Sequence, residues 1–421
     1  MENDNKFLKG LLSGLGIAAI GICLFFALNY IMPSTNNKIT TEVTEVAEET
    51  TTEDGQEAVS VTSDAVQEKM DEIIEKIDSY YLNEVDRQAL IDGLFAGLLS
   101  GLGDPYSVYY TEEELAAMQE STSGEYSGIG ATMSQNVETG VVSIVKPFEG
   151  SPAAEAGILP GDIIYKVEDE EVTGWDLSSI VAKVKGKAGT TVNITIVREG
   201  ESDYITLEVE RRNIEVPTIS HEMLDNSIGY IYIMEFDEVT YSQFVEALDD
   251  LESQGMERLI VDVRDNPGGL LSTVSDILDL LLPEGLIVYT EDKNGKREEI
   301  LSDDKHQFTK PLVVLVNGNS ASASEIFAGA IQDYGIGTIV GTTTFGKGIV
   351  QRLVYLSDGT ALKLTISKYF TPSGNNIHGI GIVPDVEVEL IDEVRKQVTI
   401  THEEDNQLQT AIEVLMGIGM E

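Results

Sequence analysis

A cluster of serines followed by a lysine supplies the residue types for acyl-transfer chemistry. Ser320, Ser322 and Ser324 precede an apolar, helix-like run, and Lys347 follows 25 positions after Ser322 in a glycine-flanked turn. A serine hydroxyl attacks a carbonyl carbon when a base takes its proton, and a neutral lysine amine can be that base. Neutrality near pH 7 requires that the lysine pKa fall from about 10.4 to roughly 7–8, which burial away from water can achieve. These residues at this spacing are therefore what a Ser/Lys hydrolase needs, a nucleophile and an unconventional base.

The same residues also have structural explanations. The sequence Ser322-Ala323-Ser324-Glu325 fits the capping box that starts many helices, and taken alone the cap is the better explanation. Lys347 has glycine and apolar neighbours and no adjacent acidic residue, which suits a buried amine. Composition alone nevertheless favours an ordinary surface lysine. At the level of these motifs both interpretations stay open.

Competing chemistries lack their motifs. The G-x-S-x-G elbow of α/β-hydrolases is absent, since the segment reads Gly318-Asn319-Ser320-Ala321-Ser322. The four histidines are scattered without an H-E-x-x-H pair, so we expect no metal and no other cofactor. A net charge of −46 argues against binding nucleic acid through phosphates. The only cysteine is Cys23, so an intrachain disulfide is excluded.

The elements that must position the serine and the lysine alternate between strands and helices from residue 214 to residue 400. Apolar runs at 258–263 and 312–316 predict buried strands, and each leads through a polar loop into an apolar helix. A short strand at 338–340 and a hairpin turn at Asp358-Gly359 follow. Parallel strands joined by helices bring strand ends and helix N-termini together, where sites of α/β folds usually lie. We therefore predict an α/β core here.

Residues 122–213 predict a smaller, β-rich domain. Five short runs have strand character, at 130–133, 141–145, 163–167, 192–197 and 204–209. With an amphipathic helix near 177–184, they suggest a small β-barrel with about two helices. Three segments make this domain resemble a PDZ domain, namely Gly128-Ile129-Gly130, Ser151-Pro152-Ala153-Ala154-Glu155-Ala156-Gly157 and Leu159-Pro160-Gly161-Asp162. The resemblance implies that Gly128, Ile129 and Gly130 bind a peptide's C-terminal carboxylate, although such glycines can simply permit a tight turn.

The N-terminal residues predict a membrane anchor. The 23 residues from Gly10 to Met32 carry no charge, and as a helix they would span about 34 Å at roughly 1.5 Å per residue. A cleaved signal peptide is the alternative. Lys6 and Lys9 precede the span, so residues 1–32 are expected to form a single-pass helix in the cell membrane, with a cytoplasmic N-terminus and an extracytoplasmic bulk. Residues 33–64 predict a flexible acidic stalk, 65–121 a helical segment and 401–421 a C-terminal helix.

Several motifs in order resemble the carboxy-terminal processing peptidases, also called tail-specific proteases. They are Asn266-Pro267-Gly268-Gly269, Ser320-Ala321-Ser322-Ala323-Ser324-Glu325-Ile326, Asp333-Tyr334-Gly335, Thr344-Phe345-Gly346-Lys347-Gly348, Gln351, Tyr369-Phe370-Thr371-Pro372 and Gly381-Ile382-Val383-Pro384-Asp385. The similarity extends from about residue 65 to residue 400, in the order helical segment, PDZ domain, protease core.

The resemblance implies a role for each site residue. Ser322 would be the nucleophile, Lys347 the general base and Gln351 the residue that orients the lysine. Backbone N–H groups of Gly268 and Ala323 would form the oxyanion hole. Glu325 and Asp333 also match the family motif and are expected only to support the site.

The expected activity is that of a membrane-anchored serine endopeptidase that cleaves protein or peptide substrates near a free C-terminus held by the PDZ domain. A PDZ adaptor with an inactive core, and a Ser/Lys hydrolase of esters or small amides, remain as alternatives. A homodimer assembled through residues 65–121 and 401–421 is a further hypothesis.

Overall fold

The structure is a computed structural model that describes residues 60–303, 305–397 and 400–417. Its contacts define two units, one that ends at Gly103 and one that begins at Asp104. The predicted membrane helix at 1–32 lies outside the described residues, and so does the predicted stalk as far as residue 59. Within the described ranges, no helix is both long and apolar enough to cross a membrane.

The first unit contains two helices, α1 (Asp64–Tyr80) and α2 (Arg87–Ser100). Asp86 begins α2, because its side chain accepts hydrogen bonds from the backbone N–H groups of Gln88 and Ala89. Large apolar side chains of both helices are exposed, namely Ile73, Ile74, Leu90, Ile91, Leu94, Phe95 and Leu98. Clustered exposed apolar side chains are typical of surfaces that bind a partner.

The second unit begins with strand β1 (Val108–Tyr110) and helix α3 (Glu112–Ser123). The predicted helical segment at 65–121 also contains a strand, since β1 pairs antiparallel with residues 361–363 far along the chain. A capping box starts α3: Glu114 Oε2 accepts from the N–H of Thr111, and Thr111 Oγ1 accepts from the N–H of Glu114.

The PDZ-like domain is a curved sheet closed by two helices. Its elements are β2 (Glu125–Gly128), β3 (Ala131–Gln135), β4 (Val142–Pro147), α4 (Pro152–Glu155), β5 (Ile163–Val167), β6 (Glu170–Glu171), α5 (Leu177–Val184), β7 (Thr191–Val197), β8 (Ile205–Glu210) and β9 (Arg212–Glu215). The sheet order is β3-β4-β5-β7-β8, with β6 on β5, while β2 pairs with β9. Val192, Ile194 and Ile196 of β7 are fully buried in its core, as the alternating strand pattern requires.

The remaining elements form the α/β core. They are β10 (Ile219–Leu224), β11 (Ile228–Ile233), α6 (Thr240–Ser253), β12 (Arg258–Asp262), α7 (Leu271–Leu281), β13 (Gly285–Asp292), β14 (Arg297–Ser302), β15 (Leu312–Val316), α8 (Ala323–Tyr334), β16 (Thr338–Gly341), β17 (Ile349–Tyr355), β18 (Ala361–Phe370), β19 (Val386–Glu387), α9 (Asp392–Arg395) and α10 (Asn406–Leu415). One sheet has the order β10-β11-β12-β15-β16-β19 and is parallel except for β10. Helices α6, α7 and α8 pack on one face of this sheet.

Helix α10 covers the opposite face of the parallel sheet. Its Leu408 and Ala411 are fully buried against strand residues such as Ile260 and Leu315. Arg264, after β12, pairs with Asp405 at 2.8 Å and thereby holds the start of α10. This helix corresponds to the segment predicted at 401–421. A dimer assembled through this helix stays a hypothesis, and Leu408 and Ala411 are buried within the chain.

A second sheet, which sequence patterns did not predict, lies beside the parallel one. It has the order β1-β18-β13-β14, and β17 pairs with β18. The β17–β18 hairpin turns where Asp358-Gly359 predicted a turn, and Asp358 accepts a hydrogen bond from the N–H of Thr360. This sheet matters for the site, because it places Gln351 and Lys363 in the strands that follow Lys347.

Candidate active site

The structure separates the three serines that compete for the role of nucleophile. Ser320 Oγ donates to the carbonyl oxygen of Val263 at 2.7 Å, and Ser324 Oγ donates to that of Asn266 at 2.9 Å. Both hydroxyls belong to fully buried residues, so they are consumed in structural hydrogen bonds. Ser322 is only half-buried, and its hydroxyl donates to no described residue. Of the three, Ser322 alone presents a hydroxyl that a substrate can reach.

The backbone of Ser322 is strained. Its φ of 55° and ψ of −111° lie outside the regions that residues with a Cβ normally occupy. Such strain costs on the order of 1–3 kcal/mol and persists only where neighbours hold it in place. Here the N–H of Ser322 donates to Glu325 Oε2 at 2.9 Å, while the hydroxyl of buried Tyr369 donates to the Ser322 carbonyl at 3.1 Å. Strain of this kind is typical of functional sites.

Glu325 connects the start of α8 to the loop that carries Lys347. Its side chain is fully buried. Besides the N–H of Ser322, the carboxylate accepts from the hydroxyl of Thr344 at 2.6 Å and from the N–H groups of Gly346 at 2.7 Å and Lys347 at 2.8 Å. One carboxylate thus fixes the backbones of both predicted catalytic residues. The predicted supporting role of Glu325 is therefore a connection between the two segments, beyond the capping of a helix.

Lys347 is half-buried, and its environment favours the neutral amine. Burial is the main cause that lowers its pKa from 10.5, and the positive charge of Lys363 lowers it further. The carboxylates of Glu325 and Asp104 act in the opposite direction. Its Nζ lies 4.8 Å from the ring centre of Tyr106, and no described residue accepts a hydrogen bond from that nitrogen. The lowered pKa favours the role of proton acceptor that a general base requires.

We expect the substitution Lys363→Met to move the acidic limb of the pH–activity profile to higher pH. Removing a positive charge near Lys347 makes its protonated form less unfavourable, so its pKa rises and less neutral base is present at a given lower pH. The measurement is kcat/KM against pH. Lys368→Met is the matched control, because Lys368 is an exposed residue of the same strand. An unshifted limb in Lys363→Met, or equal shifts in both variants, would contradict Lys347 as the titrating base.

Gln351 lies on β17 but does not contact the amine. Its Nε2 donates to Thr365 Oγ1 on β18 at 3.4 Å, a long hydrogen bond. The strand is irregular between Val350 and Gln351. The structure thus brings Gln351 to the strand next to Lys347 without the hydrogen bond that an orienting role requires.

The oxyanion-hole candidates meet at the start of α8. Gly268 has a φ of 112°, and a Cβ there would lie 2.8 Å from Ser322 Cβ and 3.0 Å from the nitrogen of Ala323, so only glycine fits. The N–H of Ala323 donates to no described residue. The N–H of Gly268, however, already donates to Asn266 Oδ1 at 2.8 Å. Ala323 therefore offers a free N–H donor, whereas the N–H of Gly268 would first have to break its hydrogen bond to Asn266.

Sequence patterns missed several residues that shape this site. Asn266 is fully buried, and its carbonyl accepts from the N–H of Ala321 at 3.0 Å as well as from Ser324, so it anchors the serine segment. Local patterns also assign no site role to Asp104 or Tyr106. Asp104 accepts from Ser107 Oγ at 2.6 Å, and Ser107 in turn accepts from the N–H of Thr365. No local pattern reveals the long-range contacts among these, because Asn266 lies 58 positions from Ser324 and Ser107 lies 258 positions from Thr365.

Asp333 lies at the other end of α8, about 16 Å from Ser322 at roughly 1.5 Å per residue. Its Oδ2 accepts from the N–H of Ser373 at 2.9 Å and so fixes the loop after β18. This contact is structural, in line with the supporting role predicted for Asp333.

The predicted carboxylate loop borders a groove in the PDZ-like domain. The groove has a volume of about 220 Å³ and is lined by Tyr126, Gly128, Ile129, Ala131, Met133, Phe148, Val181, Val184 and Lys185. It runs between β3 and α5, where a peptide would add a strand. Gly130, the third residue of the loop, has a φ of 76°, and a Cβ there would lie 2.5 Å from Ser151 Cβ.

Comparison with known proteins identifies the class. The model of peptidase family S41 matches residues 227–388, and a PDZ-domain model matches residues 144–198. A model described as the N-terminal domain of the activating protease CtpB matches residues 18–114. The fold and the family matches define a multidomain serine protease with a PDZ domain and an α/β core.

Relatives make the assignment more specific. The chain is 40% identical over 339 residues to the carboxy-terminal processing protease CtpA of Bacillus subtilis, covering 80% of this chain and 72% of the relative. It is 37% identical to CtpB of the same organism, with 77% and 68% covered, and 37% identical to the carboxy-terminal-processing protease of Bartonella bacilliformis, with 76% and 74% covered. The chain belongs to the carboxy-terminal processing protease family, which confirms the resemblance found in its motifs.

Proposed function

We propose that Ser322 and Lys347 form the catalytic dyad of an endopeptidase that cleaves proteins near their C-termini, while the PDZ domain holds the free C-terminus. The observation that supports the dyad most directly is the Glu325 carboxylate, which binds the backbones of both residues. Ser322 is the accessible serine, and burial lowers the pKa of Lys347.

The proposed reaction begins when Lys347 Nζ accepts the hydroxyl proton of Ser322 and the oxygen attacks the scissile carbonyl carbon. The N–H of Ala323 stabilises the resulting oxyanion. The N–H of Gly268 also donates to the oxyanion once its hydrogen bond to Asn266 Oδ1 has broken. Protonated Lys347 gives its proton to the leaving amine, which departs as the C–N bond breaks. Water then gives a proton to Lys347 and attacks the acyl-enzyme. As the acyl C–O bond to Ser322 breaks, Lys347 returns that proton to the Ser322 oxygen and the carboxylic acid leaves. Gln351 would orient the lysine after leaving Thr365.

The PDZ groove supports capture of the substrate's C-terminus. Its walls are largely apolar, and Lys185 is its one charged lining residue. An apolar last side chain would fill the groove, while backbone N–H groups at Gly128, Ile129 and Gly130 would receive the α-carboxylate.

The test of this function uses one reporter protein with three tails. The tails end in a free apolar residue, in the same residue amidated, or in a free aspartate. We expect kcat/KM for the free apolar tail to exceed that of the other two by roughly tenfold, with the difference mainly in KM, because the PDZ contact lies away from the reacting bond. Equal rates for the acid and the amide would refute capture of the C-terminus.

The membrane anchor at residues 1–32 and an extracytoplasmic catalytic domain are also part of the proposal, supported by the uncharged span from Gly10 to Met32. Digestion of intact cells by an added protease is expected to remove the catalytic domain, and full protection would contradict this orientation.

We further propose that the exposed apolar side chains of α1 and α2 assemble a homodimer. Sedimentation of Ile73→Ser together with Leu94→Ser should then show a shift toward monomer, and a monomeric parent protein would exclude it.

A further inference from the structure

The end of the PDZ groove where a substrate's α-carboxylate would bind contains one cation. Six of its lining side chains are apolar, namely Ile129, Ala131, Met133, Phe148, Val181 and Val184. Lys185 is the charged exception and lies beside Tyr126 and Gly128. In a protein with a net charge of −46, a carboxylate meets repulsion over much of the surface, so a local cation has a large effect on where it binds.

The position of Lys185 is fixed by the end of α5. Its backbone N–H donates to the carbonyl of Val181, and it is the last residue held by that helix. Arg211 secures this end, since its guanidinium donates to the carbonyls of Lys183 at 2.9 Å and Val184 at 2.8 Å. The Lys185 side chain therefore extends from a rigid point and lies over the Tyr126 ring, with Nζ 4.9 Å from the ring centre.

The partner of Lys185 in this structure is the carboxylate of Glu120. The two side chains form an ion pair, and they are 33% and 41% exposed. Glu120 belongs to α3, which precedes the PDZ sheet and is attached elsewhere by the hydrogen bond from Gln119 to the Tyr355 hydroxyl at 3.2 Å. An ion pair this exposed is weak, so another carboxylate can replace Glu120 at little cost.

Tyr126 occupies the neighbouring part of the same site. Its ring lies against Gly128, where a Cβ would come within 2.7 Å of Tyr126 Cε2. Burial raises the pKa of the Tyr126 hydroxyl, and hydrogen bonding from the backbone N–H groups of Ala131 and Gly130 opposes that rise. The Tyr126 ring therefore lies beside the loop that would receive the substrate's carboxylate.

We propose that Lys185 recognises the α-carboxylate of the substrate and that Glu120 is an internal competitor for Lys185, which the substrate's C-terminus displaces. This inference rests on the proposed capture of a free C-terminus by the PDZ groove. It adds the residue that selects the carboxylate. It also adds an intramolecular ion pair, between Lys185 and Glu120, that lowers the affinity of the groove for a protein tail. The occupant is a protein tail with an apolar last residue and a free carboxylate.

The experiment measures binding of a fluorescent peptide by anisotropy, with the full chain carrying Ser322→Ala so that the peptide is not cleaved. The peptide ends in leucine and is used as the free acid and as the amide. Glu120→Gln, Lys185→Met and the double variant are compared with the parent. The matched controls are Glu113→Gln, on the same helix as Glu120, and Lys183→Met, whose partner Glu170 lies outside the groove lining.

We expect Glu120→Gln to tighten binding of the acid by roughly two- to fivefold, the range of an exposed ion pair. Lys185→Met should weaken binding of the free-acid peptide by about tenfold and leave binding of the amide unchanged, because the lost contact is to a charged group. Adding Glu120→Gln to Lys185→Met should have no further effect, since the competitor then has nothing to compete for. The two control variants should bind the acid as the parent does.

The outcomes separate this inference from the function on which it rests. If the parent binds acid and amide equally, capture of the C-terminus itself is refuted. If the parent prefers the acid but Lys185→Met keeps that preference, Lys185 is not the selecting residue although capture stands. Unchanged or weaker binding of the acid in Glu120→Gln would refute the internal competitor.

Discussion

Replacing Ser322 with alanine is expected to lower kcat/KM for a tailed protein substrate by about 10⁴- to 10⁶-fold, the range for loss of a serine nucleophile. The reason is that Ser322 supplies the attacking oxygen, and alanine has no hydroxyl to replace it. The Ser322 hydroxyl is half-buried and donates to no described residue. Stability should change little, because the backbone contacts from Glu325 and Tyr369 do not involve the hydroxyl. Steady-state kinetics and thermal unfolding measure the two effects separately.

Ser324→Ala is the matched control for this prediction. It removes the buried hydrogen bond to the Asn266 carbonyl, so it should cost about 1–3 kcal/mol of unfolding free energy. The folded fraction should nevertheless keep measurable peptidase activity, since that hydroxyl faces the core. Full activity in Ser322→Ala, or complete loss in folded Ser324→Ala, would show that the nucleophile has been assigned to the wrong serine.

The second large effect is expected at Lys347. Both Lys347→Met and Lys347→Arg should lower kcat by at least about 10²- to 10⁴-fold, the contribution of a general base. Methionine has no basic nitrogen. Arginine keeps the charge, but its pKa above about 12 prevents it from accepting the serine proton. Loss of activity in the arginine variant therefore distinguishes proton transfer from simple charge stabilisation.

Stability provides the independent readout for Lys347. Because burial lowers its pKa below 10.5 in the folded state, the protonated amine opposes folding. Lys347→Met removes this cost, so it should raise the unfolding free energy. The gain should be greatest at pH values below the folded-state pKa and vanish above 10.5, where the amine is neutral in both states. Lys368→Met, on the exposed part of β18, should show no such pH dependence. An active Lys347→Arg enzyme would contradict the general base.

Much of the fold followed from local patterns. The apolar runs at 258–263 and 312–316 are the central strands β12 and β15, and the run after Ser322 is α8. The PDZ strands and the helix Leu177–Val184 also lie where alternation and helical spacing predicted them. These patterns are readable because each depends on whether one face of an element meets water, a property set by residues two to four positions apart.

The sheet that joins β1 and β13 to the predicted β17–β18 hairpin was not predictable in this way. Strand β1 is three residues long and gains its extended shape from pairing with residues 361–363. Helix α10 shows the reverse case, since a helix is predicted at 401–421 but the surface that it covers is not. Partner choice depends on contacts between segments far apart in the chain, about which a local pattern contains no information.

The serine cluster and the distant lysine already determined the kind of chemistry, and the ordered motifs determined the family. Tertiary structure decided which hydroxyl is available, because Ser320 and Ser324 are hydrogen-bonded to backbone carbonyls of the β12 loop. It also decided that the Glu325 carboxylate binds the backbone N–H groups of both Ser322 and Lys347, and that Glu120 pairs with Lys185 at the PDZ groove. Residue types fix which reactions are available, whereas burial and pairing, which exist only in the folded chain, fix which residue performs them.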